Sequence, residues 1–161
     1  MKLIKNIARL VLALAVVAAP IGAISAESKI SGDPLMEPVK SVLDHYLKIQ
    51  TELAKDSIKG LDEHAGAIAK AVKDDDMKML SPDVAKEAET LAQAKDIKAA
   101  RTAFKPLSAS LVKYLADNKA GKGTYHEAYC PMAKASWIQT GTTIKNPYMG
   151  KQMLSCGELK N

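Results

Sequence analysis

The segment Ile97 to Gly123, IKAARTAFKPLSASLVKYLADNKAGKG, decides how this chain is divided. Ile97, Ala100, Phe104, Leu107, Leu111 and Leu115 recur at helical spacing and lie on one face, with lysines and small polar residues opposite. Asp96 stands where an N-cap is needed, so the spacing predicts a helix opening at Ile97. Pro106 falls inside the pattern and is expected to kink or interrupt it. Asn118 to Gly123, with two glycines, then ends the helical part of the chain.

Upstream, three further segments carry the same signature. From Pro38, suited to a first helical turn, Val39, Val42, Leu43, Tyr46, Leu47 and Leu53 form one stripe. After Asp56-Ser57 a second stripe contains Ile58, Leu61, Ala65, Ile68, Ala69 and Val72. Asp74-Asp75-Asp76 lacks the alternating ligands and glycine of a calcium loop and reads as a solvated turn. Ser81-Pro82-Asp83 opens a third helix, with Val84, Ala88, Leu91 and Ala92 facing inward. Four amphipathic segments on short polar connections predict an all-α fold, a four-helix up-and-down bundle. Beyond Gly123 the helical period is lost, and Tyr125, Tyr129, Trp137 and Tyr148 are spaced irregularly. Residues 124–157 therefore read as an irregular tail, rich in aromatics and sulfur, packed on the bundle.

At the other end, Lys2, Lys5 and Arg9 precede an apolar run from Leu10 to Ala19 and a small-residue stretch ending at Ala26. That order predicts a secretory signal peptide over residues 1–26, cleaved near Ala26, and hence a periplasmic protein with no membrane span after cleavage. Residues 27–37 are expected to form a flexible lead-in to a single helical domain over 38–161. The chain of 161 residues has 23 Lys and Arg against 18 Asp and Glu; three of the basic residues belong to the leader, leaving 20 against 18. With that near-balance and no basic face or aromatic motif, nucleic acid is not an expected partner. Neither Cys-x-x-Cys, Gly-x-Ser-x-Gly nor a phosphate-cradling glycine loop occurs, so no enzyme activity is expected.

Chemistry concentrates in the tail. Both cysteines, Cys130 and Cys156, lie there with Met132, Met149 and Met153 between them. Thiolate and thioether suit soft monovalent ions, so copper(I) or silver(I) is the expected cargo. A short helix over 148–156, stopped by Gly157, would set Met149, Met153 and Cys156 on one face, with Cys130 and Met132 folded against it. His126, four residues before Cys130, joins them as a candidate ligand, whereas His45 and His64 stand singly and read as surface or partly buried residues. The same sulfurs admit a second reading. In an oxidising compartment a Cys130–Cys156 disulfide would close a loop of about 27 residues and stabilise the fold by about 3 kcal/mol. The domain would then be a non-catalytic structural or protein-interaction module.

Tyr129-Cys130-Pro131-Met132-Ala133, Trp137-Ile138-Gln139, Asn146-Pro147-Tyr148-x-Gly150 and Met153-Leu154-x-Cys156-Gly157-Glu158 resemble the C-terminal signature of a family of exported bacterial domains of unknown function. Such domains also occur fused to periplasmic adaptor subunits of CusB-type copper and silver efflux systems. The likeness extends upstream through Tyr46-Leu47 and Arg101-x-x-Phe104-x-x-Leu107-Ser108. It implies a helical periplasmic domain linked to heavy-metal handling, with an efflux adaptor or another metal-handling protein as partner. Tyr129 to Met132 also looks like the start of small heavy-metal-binding modules, with Ala133 where they place a histidine.

Overall fold

The computed structural model describes residues 35–160; the signal-peptide reading of 1–26 and most of the 27–37 segment lie outside them. Helices α1 (Val39–Ala54), α2 (Leu61–Lys73), α3 (Pro82–Ala92) and α4 (Ile97–Asn118) follow in order. Strands β1 (His126–Cys130) and β2 (Ala135–Gln139), a 3-10 turn (Gly150–Met153) and a short strand β3 (Glu158–Leu159) complete the chain. Among the described residues no helix is long and apolar enough to cross a membrane.

The helices form where the apolar stripes put them, and their caps are largely those the sequence names. Ser81 Oγ accepts from the Asp83 amide at 3.3 Å ahead of Pro82, and Asp96 Oδ1 accepts from the Ala99 amide at 2.8 Å. Helix α4 runs unbroken through Pro106, which removes one backbone donor without ending the helix. Helix α2 starts later than the stripe suggests: Ile58 lies ahead of it, and Gly60 at φ +69° turns the chain into Leu61. Asp75 is not solvated but nearly buried; its carboxylate accepts from the Met77, Met79 and Leu80 amides and organises the α2–α3 loop.

The all-α expectation is overturned by the tail. Residues 126–159 build a three-stranded antiparallel sheet in the order β2-β1-β3, so the fold is mixed. β1 pairs β2 in the register His126 to Gln139 through Cys130 to Ala135, and β1 pairs β3 at Ala128 with Leu159 and Tyr129 with Glu158. Successive helices pack on one another, and β2 lies across α4 and α1. Trp137, Ile138 and Ala128 are thereby fully buried in the same core as Tyr46, Phe104, Leu107 and Leu111.

A buried polar knot fixes the sheet on the helices. Tyr46 stacks on Phe104 with ring centroids 4.9 Å apart, and its hydroxyl meets Ser108 Oγ and accepts from the Ile138 amide at 3.1 Å. Ser108 donates to the Ser136 carbonyl at 3.0 Å, and the Tyr148 hydroxyl donates to the same carbonyl at 2.6 Å. Backbone groups of β2 that no strand partners are thus met by side chains from α1, α4 and the tail.

Candidate metal centre

Strand alternation sets the site. His126, Ala128 and Cys130 share the face of β1 that turns to the helices, and Cys130, at the strand's end, is fully buried. The hairpin turn from Pro131 to Lys134 follows, and the Ala133 amide donates back to Cys130 Sγ at 3.4 Å. On the opposite edge of β1, pairing of Tyr129 with Glu158 draws the preceding residues alongside, and Cys156 Sγ comes to rest 3.5 Å from Cys130 Sγ. Both cysteines are free thiols.

Gly157 is what permits this approach. Its φ is +142°, and a Cβ there would stand 2.8 Å from the Trp137 ring and 2.9 Å from the Tyr129 carbonyl. Asn146, fully buried, ties down the rest of the loop. Its Oδ1 accepts from the Tyr148 and Met149 amides at 2.8 and 3.1 Å, its Nδ2 donates to the Cys156 carbonyl, and its own amide donates to the Leu154 carbonyl at 2.8 Å. A third fastening comes from the helices. Arg101 on α4 donates to the Pro147 and Leu53 carbonyls at 2.8 and 2.9 Å and pairs with Asp56 at 2.6 Å, while Asp56 accepts from the Lys151 amide at 3.0 Å. Gly150, at φ +59°, leaves the room that the Asp56 carboxylate and Arg101 guanidinium occupy.

The two thiols are electrostatically unequal. Burial pushes the Cys130 thiol up, but hydrogen bonds from the Ala133 amide, the Asn146 side chain, the Cys156 thiol and the Met132 amide outweigh it, so Cys130 ionises below the ordinary thiol range. Cys156 is raised, first by its hydrogen bond to Cys130, then by desolvation and the neighbouring negative charge. Of the two thiols Cys130 is thus the one that ionises first.

The other sulfurs are placed differently from the expectation. The helix over 148–156 is only the 3-10 turn Gly150–Met153, and at three residues per turn Met149 and Met153 point about 120° apart. Met149 is half-buried against the core; Met153 and Met132 are exposed, and Cys156 lies beyond the turn. His126 sits at the far end of β1, four residues or about 13 Å of extended strand from Cys130, and does not join the thiols. Among the described residues no three or more His, Cys, Asp or Glu side chains converge as a metal site. What the fold assembles is a two-thiol contact with the Met132 turn beside it.

Asn146, Gly157, Gly150 and the Arg101–Asp56 pair were not singled out as site residues from sequence. The signal was present in part: Asn-Pro at 146–147 is a turn initiator, and Gly150 and Gly157 flank the turn.

Residues 42–123 match the family model described as "Protein of unknown function (DUF3347)", and those 82 positions are half of the 161-residue chain. The chain belongs to the DUF3347 family. The matched stretch runs from α1 through the turn after α4 and ends just before β1, so it covers the helical scaffold, while the thiol pair stands on the strands that follow. No curated protein and no solved structure matches this DUF3347 chain.

Proposed function

We propose that this DUF3347 protein is a non-catalytic, exported domain that binds or buffers copper(I) or silver(I) through Cys130 and Cys156 and serves metal efflux or resistance in the periplasm. The observation that carries the reading is the 3.5 Å contact between a buried cysteine of lowered thiol pKa and a second thiol. At a metal–sulfur distance of about 2.3 Å, that of zinc–thiolate, two sulfurs stand about 3.8 Å apart across a tetrahedral edge, so a three- or four-coordinate thiophilic ion that takes a further ligand fits this pair with little rearrangement, whereas linear two-coordination would part the sulfurs to about 4.6 Å. Cys130 ionises more readily than an ordinary thiol, and Met132, exposed in the adjoining turn, would supply a neutral thioether on the same hairpin. The partner, an efflux adaptor or another metal-handling protein, and the periplasmic location rest on the resemblance of the tail motif and on the N-terminal leader pattern.

The test is titration of the reduced protein with silver(I) and with copper(I) under a competing chelator, with thiols counted before and after. Two thiols that become protected at one equivalent of metal support the proposal. Protein with no affinity for either ion, reduced or oxidised, overturns it.

The same 3.5 Å contact favours one other reading, a Cys130–Cys156 disulfide that locks the tail of a protein-interaction module. Protein isolated from the periplasm would then contain no free thiol and would ignore metal until reduced.

A further inference from the structure

A second cluster of metal-ligating side chains lies away from the thiols. His45 on α1 and His64 on α2 face each other with their Nδ1 atoms 3.2 Å apart and their rings tilted at 48°. Both are half-buried, and His64 lines an open cavity of about 520 Å³ between the two helices together with Gly60 and Glu63. Gly60, at φ +69°, turns the chain into α2 just ahead of His64 and lies beside its ring.

We propose that His45 and His64 form a two-imidazole site for a borderline divalent cation, copper(II) before zinc, at the α1–α2 lip and independent of the thiol pair. Geometry argues first. Two nitrogens bound to one ion at about 2.0–2.1 Å stand about 3.3 Å apart across a tetrahedral edge, close to the separation that α1 and α2 impose. Imidazole is a preferred donor for copper(II), zinc and nickel, and the general order of affinity places copper(II) first. The cavity wall carries Lys48 and Lys59 as well as Glu52 and Glu63, so the fixed charges balance and the imidazole pair, not the local charge, is what selects the ion. Both rings are half-buried, not sealed, so water can complete the coordination of an ion held by the two Nδ1 atoms.

The experiment is a titration of the purified protein with zinc chloride, followed by the ring-proton resonances of the three histidines, and with copper(II), followed by paramagnetic broadening of the same signals. The expected result is that His45 and His64 respond together and saturate at one equivalent, while His126 does not. His45→Gln and His64→Gln, folded by far-UV dichroism, should each weaken this event by more than about tenfold, the loss caused even by outer-shell changes at metal sites. Cys156→Ser should leave the imidazole response intact, which separates this site from the thiol pair. Should the His45 and His64 resonances stay in place while metal is added, or both glutamine variants bind as wild type, the imidazoles are only a hydrogen-bonded pair and the proposal fails.

Discussion

Gly157→Ala is the sharpest probe of how the thiols are brought together. At φ +142° an L side chain costs about 1–3 kcal/mol in backbone strain. The new methyl would also stand 2.9 Å from the Tyr129 carbonyl and 2.8 Å from the Trp137 ring. Neither neighbour yields easily: Tyr129 is paired on both sides, to Ser136 and Glu158, and Trp137 is fully buried. Overpacking of this kind adds about 1–3 kcal/mol. The chain has one escape, since β3 is two residues long and can peel from β1, so the loss should sit near the lower end, about 2 kcal/mol. For a domain of this size that lowers the melting midpoint by roughly 6–12 °C. Peeling carries Cys156 away from Cys130, so alkylation of Cys156 should accelerate and oxidative Cys130–Cys156 cross-linking should slow. Gly66→Ala in α2 is the matched control: nothing lies within 4 Å of its added Cβ, and it should stabilise by about 0.5–1 kcal/mol. A Gly157→Ala protein that melts within about a degree of wild type and cross-links as readily would show that Gly157 does not set the thiol contact.

Two further outcomes test the scaffold. Tyr46→Phe removes the acceptor of the buried Ile138 amide and the partner of Ser108, and should cost about 1–3 kcal/mol in denaturant unfolding with little change in far-UV dichroism; an unchanged midpoint would refute the polar knot. Glu87 has one carboxylate oxygen bonded by Ser110 and the other buried without a partner, and burial raises its pKa. A raised carboxylate pKa means that its favourable contribution is full below the unfolded value and is lost as pH rises through the folded one. Glu87→Gln should therefore melt higher than wild type near neutral pH, with the difference shrinking as pH falls through the raised folded pKa and gone below the unfolded value of about 4.3; a difference that does not depend on pH would contradict the assignment.

The helices were legible because each buries a stripe at a 3.6-residue period, and for α3 and α4 the caps Ser81 and Asp96 do what their positions state, whereas α1 and α2 start without a side-chain cap. The sheet was not, for a physical reason. β1 and β2 are five residues each, and the inward positions of β1 are Ala128 and Cys130. Three consecutive residues of β2, Trp137, Ile138 and Gln139, are all buried, so neither strand shows clean alternation. Reading the tail as irregular left helix spacing as the only route to a sulfur cluster, and that route put Met149, Met153 and Cys156 on a face that does not form. The cysteines meet instead through strand register. His45 and His64 were read singly because their encounter depends on how α1 and α2 are rotated about their axes, which no local pattern encodes.

The thiol contact is assembled by groups that owe nothing to a metal. Asn146 holds the loop backbone through both ends of its amide, Arg101 and Asp56 pin Pro147 and Lys151 to α4 and α1, and Gly157 lets the chain pass over Trp137. A centre preorganised in this way differs from a zinc finger, in which the ion's binding energy is the folding energy. On the proposed reading an ion entering between Cys130 and Cys156 would meet two sulfurs already 3.5 Å apart and displace thiol protons. Its effect on the fold would then be mass action alone, about 2.7 kcal/mol at a hundredfold excess over Kd. On the proposed reading the loop is held by Asn146, Arg101 and Asp56 and not by the ion, so cargo would be loaded and surrendered without unfolding the domain.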